Sequence, residues 1–440
     1  MRIILVTGTG GAGRSTVAAG TALAEARAGR RVLLVTAASR GAASGAADGV
    51  ADGAVGGGTD GAVGLLAGGA GAPAGRPHPV PLDTPATAPG GGETFHGART
   101  GSLHLLVPDP AGDFRREFLG FQDRSQTALD LLGATPFEEA ELTELPGSGQ
   151  VALLRAVRDA AAGNWDLAVV ELPPVTEALA LLALPEQLRR YLRRLLPAER
   201  QAARALRPML AQLAGVPLPA QWLYETTARW EAELAAVQDV IDSPDTVVRL
   251  VLEPGPAATG TLRTARLGLA LQGLALDTVV ANRVLPAGSS DPWFAGLAAE
   301  QHRHLAALRD EHPGLRELPH LGRAPRGLDD LALLATTGAA GTGGPGSGLA
   351  AAVPPVRTVE DRRAEDGILV WHVPLPGAVK DGLGLVRRGD ELLLSVGPFR
   401  RALPLPAALR RCTVTGAGLV DGDLRIRFAP DPGLWPAGTR

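Results

Sequence analysis

The sequence predicts an α/β protein, a doubly wound parallel sheet carrying a helical insertion, followed by a small β-sandwich. Three observations predict it. Short apolar runs suited to buried strands alternate with helix-prone segments over residues 1–335, and a glycine-rich turn joins the first run to the first helix. Beyond residue 362 the pattern changes to short runs divided by Gly, Pro and Asp, with no helix.

Ile3 to Val6 (IILV) reads as the first buried strand and the Ala-rich Thr16 to Gly29 as the first helix. Gly8-Thr9-Gly10-Gly11-Ala12-Gly13-Arg14-Ser15-Thr16 therefore lies at a strand-to-helix turn, the setting of a phosphate-binding loop. Backbone N–H groups of such a loop bind phosphate without any side chain, helped by the positive end of the helix. A lysine normally adds charge at the β- and γ-phosphates, and a hydroxyl at Ser15 would hold Mg²⁺. Arg14 stands at the lysine position; its forked, planar guanidinium is a poor substitute for a compact ammonium. Lys380 is the only lysine in the chain, so no neighbour can replace it. The plainer reading is a structural glycine turn in a chain where Arg has generally displaced Lys.

Arg31 to Thr36 (RVLLVT) is the second strand. Residues 41–98, dominated by Gly, Ala and Pro, read as a disordered insertion, because they offer too little apolar surface to offset ordering entropy. Ser102 to Val107 is a third strand, ending at Asp109-Pro110. Residues 111–160 read as a helical region, with helix from Phe114 to Ala162 broken at Pro146-Gly147, and Asp166 to Glu171 is the next strand. A second helical region spans 177–241. There Leu188, Tyr191, Leu192, Leu195 and Leu196 fall at helical spacing opposite Arg189, Arg190, Arg193 and Arg194. A substrate groove or basic patch is one reading of that stretch, and an amphipathic helix with a solvated arginine face is the favoured one. Strands resume at Thr246 to Leu252 and Asp277 to Ala281, around a helix from Thr261 to Leu274. Residues 336–362 read as a Gly/Ala/Pro linker, and 363–430 as a β-sandwich of six short strands with a hairpin signal at Asp421-Gly422.

At 440 residues the chain can hold two or three domains, and 45% hydrophobic with 20% charged residues describes a soluble globular protein. A net charge of −3 gives no electrostatic reason for a nucleic acid or an anionic membrane as partner. Cys412 is the only cysteine, which excludes an intramolecular disulfide and any thiolate cluster drawn from one chain. The start Met1-Arg2 runs straight into a strand, unlike a signal peptide, and no apolar stretch reaches a membrane span, so a cytoplasmic location is expected.

Taken as a set, GTGGAGRST at Gly8, ELPG at Glu144, LLALPEQL from Leu181, ANRVLP at Ala281 and GDELLLSVGPFRRALPLP from Gly389 resemble the ArsA family. That family comprises arsenite-pump ATPases and the related ATPases that deliver tail-anchored membrane proteins; the likeness is to its bacterial form with a C-terminal HSP20-like domain. The resemblance implies ATP and Mg²⁺ as cofactors, Gly8, Gly10, Gly11, Gly13, Arg14, Ser15 and Thr16 around the phosphates, and Asn282 reading adenine. It implies Ser15 and Glu171 near the metal, with Arg14 and Glu171 as degenerate equivalents of catalytic residues. Asn282 reads equally as a plain turn, and Glu171 as a charged strand end. The family's lysine that crosses a dimer is Thr9 here, and its water-orienting aspartate falls within Ala37-Ala38. The resemblance therefore implies nucleotide binding with slow or absent hydrolysis, a protein client or an ArsA-like paralogue as partner, and a homo- or hetero-dimer. One cysteine provides neither the family's arsenite thiolates nor its zinc clasp, and Met1 and Met209 are too few for a methionine-rich client groove. The His302-x-His304 pair lacks an acidic or sulfur partner at metal-ligand spacing and reads as a solvent-facing helix.

Overall fold

The computed structural model describes residues 1–36, 61–67, 74–82, 101–124, 126–131, 133–195, 220–337 and 355–435. They divide into two compact units, Met1–Thr246 with Leu318–Gly348, and Val247–Glu317 with Leu349–Arg440.

In the first unit β1 (Arg2–Gly8) is buried from Ile3 to Gly8. It leads into α1 (Arg14–Arg27), whose Ala18, Ala19, Ala22 and Leu23 are fully buried. The strands β2 (Arg31–Val35), β3 (His78–Val80), β4 (Ser102–Leu106) and β5 (Leu167–Glu171) complete the unit's sheet, in the order β3-β4-β2-β5-β1. All pairings are parallel except β3 with β4. Continuous apolar runs such as Ala168–Val170, buried on both faces, are what a helix-covered parallel sheet needs. The expected insertion at 41–98 lies largely outside the described residues, yet two pieces of it are ordered: β3, and α2 (Gly61–Ala67), whose Ala62, Leu65 and Leu66 are buried.

The helical region comprises α3 (Pro110–Arg124), α4 (Gln126–Leu131), α5 (Ser148–Ala162), α6 (Val175–Leu195) and α7 (Ala220–Ile241). The expected break at Pro146-Gly147 is the start of α5, where Gly147 has φ +94°. The arginine side of α6 is braced rather than merely solvated: Arg193 and Arg189 reach Glu231 of α7 at 2.8 and 3.7 Å. Tyr191 and Leu195 on the same helix are exposed, and Leu196 lies outside the described residues. α10 (Gly327–Thr337) packs on α1.

The second unit holds β6 (Thr246–Leu252), α8 (Ala258–Gln272), β7 (Ala275–Val284), α9 (Pro292–Glu311), which carries His302 and His304, and β8 (Arg316–Pro319). β6 and β7 pair in parallel, and an Arg249–Asp277 ion pair at 2.6 Å is buried between them. Strand and helix alternate here as in the first unit, giving the expected doubly wound α/β class.

The C-terminal β-sandwich has seven strands. β9 (Thr358–Arg362), β10 (Ile368–Pro374), β14 (Cys412–Val420) and β15 (Asp423–Pro430) form a sheet in the order β14-β15-β10-β9. β11 (Leu383–Arg388), β12 (Glu391–Val396) and β13 (Phe399–Pro404) form the other. The strand beyond the expected six is β9, which occupies the last five residues of the range expected as linker, and short 3-10 turns interrupt the all-strand pattern at Lys380–Gly382 and Ala407–Arg411. Trp371, Leu392, Leu403, Ile426 and Phe428 fill the space between the sheets, together with Leu267 and Leu271 of α8. Arg357 and Arg401 both donate to the Leu271 carbonyl at 2.7 Å, satisfying a helix-end acceptor just before Gly273, the left-handed cap of α8.

Candidate functional site

Gly11 and Gly13 in the turn between β1 and α1 have φ of +78° and +87°, a region glycine enters without strain. Gly13 is also the N-cap of α1 and supplies no side-chain cap, so the first-turn N–H groups face their solvent end unsatisfied by a cap side chain. A Cβ at Gly10 or Gly11 would meet nothing within 4 Å, so the loop fronts open space. Gly8 is buried at the end of β1, and Thr16 is in the first turn of α1. A loop of this shape, at a helix N-terminus, fits a polyphosphate.

The parallel register sets Glu171 of β5 beside Val6 of β1. Its carboxylate then accepts two hydroxyls, Ser15 Oγ on Oε1 and Thr36 Oγ1 on Oε2, each at 2.5 Å. A serine whose proton is committed to a carboxylate keeps its lone pairs for a cation, and hydroxyl and carboxylate oxygens are the donors Mg²⁺ prefers. The residues present therefore fit a Mg²⁺–nucleotide. Thr7 Oγ1 donates to the Pro173 carbonyl at 2.7 Å, tying the end of β1 to the segment after β5. Neither Thr36 nor Thr7 stands out in the sequence, where each reads as an ordinary strand-end threonine.

Arg14 behaves differently from a phosphate-gripping lysine. Its Nη1 donates to the Leu172 carbonyl at 2.5 Å, so the guanidinium is held by main chain next to β5. Ala37 and Ala38 lie outside the described residues. Asn282 belongs to the second unit, in β7, at 5% exposure. The turn after it is braced by Gln301, which accepts from the Leu285 N–H at 2.8 Å and donates to the Arg283 carbonyl at 3.0 Å, and Arg283 itself takes φ +59°.

The helical region encloses a cleft of about 1070 Å³ walled by Phe114, Phe118, Phe121, Leu145, Leu184 and Trp230. Beside these runs an ion network. Arg155 bonds Glu233 at 2.6 Å and also Glu117, and Arg158 bonds Glu233 at 2.9 Å. Partial burial pushes the Glu233 carboxyl upward, and the hydrogen bonds and charges of Arg155 and Arg158 outweigh it, leaving the group below its ordinary value. Cys412 is buried, its thiol pushed up by that burial, and its Sγ lies 3.4 Å from the Ala408 carbonyl.

Residues 103–337 match the model of the anion-transporting ATPase family, ArsA, and residues 366–428 match the HSP20-like domain found in ArsA. A Streptomyces coelicolor protein is 50% identical over the whole of both chains. A Mycobacterium tuberculosis protein is 30% identical over 99% of this chain and 97% of its own. An Aquifex aeolicus protein assigned by name as an arsenical pump-driving ATPase is 24% identical over 61% of this chain and 69% of its own. Among the described residues no helix is long and apolar enough to cross a membrane. The chain belongs to the ArsA family of anion-transporting ATPases, in the form that carries a C-terminal HSP20-like domain.

Proposed function

We propose that this chain binds ATP with Mg²⁺, hydrolyses it slowly or not at all, and engages a protein client or partner through its helical region and β-sandwich. One observation carries the reading: Ser15, Glu171 and Thr36 form a hydroxyl–carboxylate arrangement, while the Arg14 guanidinium is bound to the Leu172 carbonyl. Binding draws on the glycine loop and Ser15. Hydrolysis requires charge compensation at the γ-phosphate and a placed water, and Thr9, Arg14 and Ala37-Ala38 stand where the family's lysines and aspartate would supply them. When bound, Mg²⁺ would supply charge neutralisation at the β- and γ-phosphates. Ser15 and Glu171 would hold it.

The aromatic cleft of the helical region supports a macromolecular partner over an oxyanion cargo, because arsenite capture needs several thiolates and the chain has one buried cysteine. A second reading, a working ATPase acting alone or with an intact paralogue, draws on the carboxylate that Glu171 still offers and on the charge that Arg14 preserves. A third is a chaperone-like scaffold whose glycine loop binds nothing. Titration of the purified protein with a fluorescent ATP analogue and Mg²⁺, with Gly13→Asp as the loop control, separates nucleotide binding from the scaffold, and turnover measured alone and with the paralogue tests the working ATPase. Micromolar binding lost in Gly13→Asp is expected; no binding at millimolar nucleotide would overturn the proposal in favour of the scaffold.

A further inference from the structure

The two sheets of the β-sandwich have four edge strands, and they are not alike. β9 carries Glu360, Asp361 and Arg362, β11 ends in Arg387 and Arg388, and β13 carries Arg400 and Arg401 and lies against α8. Charges and cover of this kind are how natural edges avoid pairing with other chains. β14 has neither. Its nine residues, Cys-Thr-Val-Thr-Gly-Ala-Gly-Leu-Val, contain no charge and no proline, and among the described residues it pairs with β15 alone. Val414 and Val420 are 36% and 43% exposed.

The register identifies the free groups. Asp421 and Gly422 take φ of +50° and +75°, the two-residue hairpin turn whose flanking pair, Val420 with Asp423, exchanges hydrogen bonds. Bonded pairs then recur at Gly418–Arg425 and Gly416–Arg427, which leaves Ala417 and Leu419 with their N–H and C=O groups pointing away from β15.

We propose that β14 pairs antiparallel with β14 of a second copy of this chain, across a twofold axis at Gly418. The chemistry of the strand selects that partner. In this pairing Ala417 faces Leu419 of the partner strand, so both free residues are satisfied in about four new hydrogen bonds. Gly418 faces its own counterpart, and no like charges are set opposite each other along the strand. An uncharged edge pairs with itself without repulsion, and it offers the side chains of a charged peptide no opposite charge. Two four-stranded sheets become one of eight. This interface lies wholly within the β-sandwich and does not rest on nucleotide binding.

Sedimentation equilibrium of the full chain without nucleotide tests it, with amide hydrogen exchange as a second readout. A dimer at micromolar concentration is expected, with slow exchange at the Ala417 and Leu419 amides. Gly418→Lys, at a position where a Cβ meets nothing within 4 Å, sets two ammonium groups face to face and should yield a folded monomer, its melting temperature lowered only slightly by Arg425 opposite in the same chain. Ala417→Pro removes an outward N–H without removing a bond to β15, and should act alike. Gly13→Asp, which disables the glycine loop, should leave the dimer intact. A wild-type monomer at tens of micromolar, a dimer that survives Gly418→Lys, or fast exchange at both amides within a dimer would each overturn the proposal.

Discussion

Replacing Glu171 with alanine removes the acceptor of two hydroxyl bonds at 2.5 Å, from Ser15 and from Thr36. The fold should survive, because Glu171 is the last residue of β5 and is only partly buried. What is lost is the orientation of the Ser15 proton. With Glu171 present, that proton is committed and the oxygen lone pairs are free for Mg²⁺; without it the hydroxyl rotates and competes with water. A hydrogen bond to a charged group contributes about 1.5–3 kcal/mol, equivalent to roughly 10- to 150-fold in affinity. The loss should fall on the Mg²⁺-dependent part of nucleotide binding alone. Calorimetric titration of ATP with Mg²⁺ and with chelator, on wild type and Glu171→Ala, reads it directly. The variant should bind in Mg²⁺ about as weakly as the wild type does in chelator. An undiminished Mg²⁺ enhancement in Glu171→Ala would refute the role given to this carboxylate.

Other consequences follow from the same structure. Glu233→Ala leaves the partly buried Arg155 and Arg158 guanidiniums short of their shared partner, and should lower stability by about 1–3 kcal/mol in urea unfolding. Leu271→Ala empties a fully buried position shared by α8 and the β-sandwich core, at a cost of about 2–5 kcal/mol in the same assay. His372 bonds Asp423 at 2.7 Å and Glu360 at 3.1 Å, and the Asp423 bond leads in raising its pKa above 6.5, against the opposing effect of burial. Because the folded state then holds the proton more tightly, the stabilisation is fully present below about pH 6.5 and is lost as pH rises through the folded value. The melting-temperature gap between wild type and His372→Leu should accordingly shrink with rising pH, and a gap that widens would reverse the assignment.

The parts of this molecule that were legible in sequence are those governed by local rules. The glycine loop could be recognised because Gly11 and Gly13 take positive φ, and β1 and β5 because a strand buried on both faces must be apolar throughout. β9 went unrecognised because Thr-Val-Glu-Asp-Arg is an exposed edge with no alternation to betray it. α2 and β3 lie in glycine-, alanine- and proline-rich sequence whose order comes from tertiary burial, as at Ala62 and Val80. Around the site, Glu171 could be picked out by its place at a strand end, but Thr36 could not, since its role depends on β2 and β5 lying side by side. The direction of Arg14 was equally hidden. Its partner, the Leu172 carbonyl, is 158 residues away.

The most direct test of the central claim is single-turnover hydrolysis, with protein in excess over radiolabelled ATP and Mg²⁺ at concentrations where titration shows the nucleotide bound. The account predicts that bound ATP is recovered largely intact, with product forming far below the roughly 1 s⁻¹ at which ordinary enzyme turnover begins. Conversion at that rate or faster, abolished by Arg14→Ala, would contradict it and make Arg14 a working catalytic group.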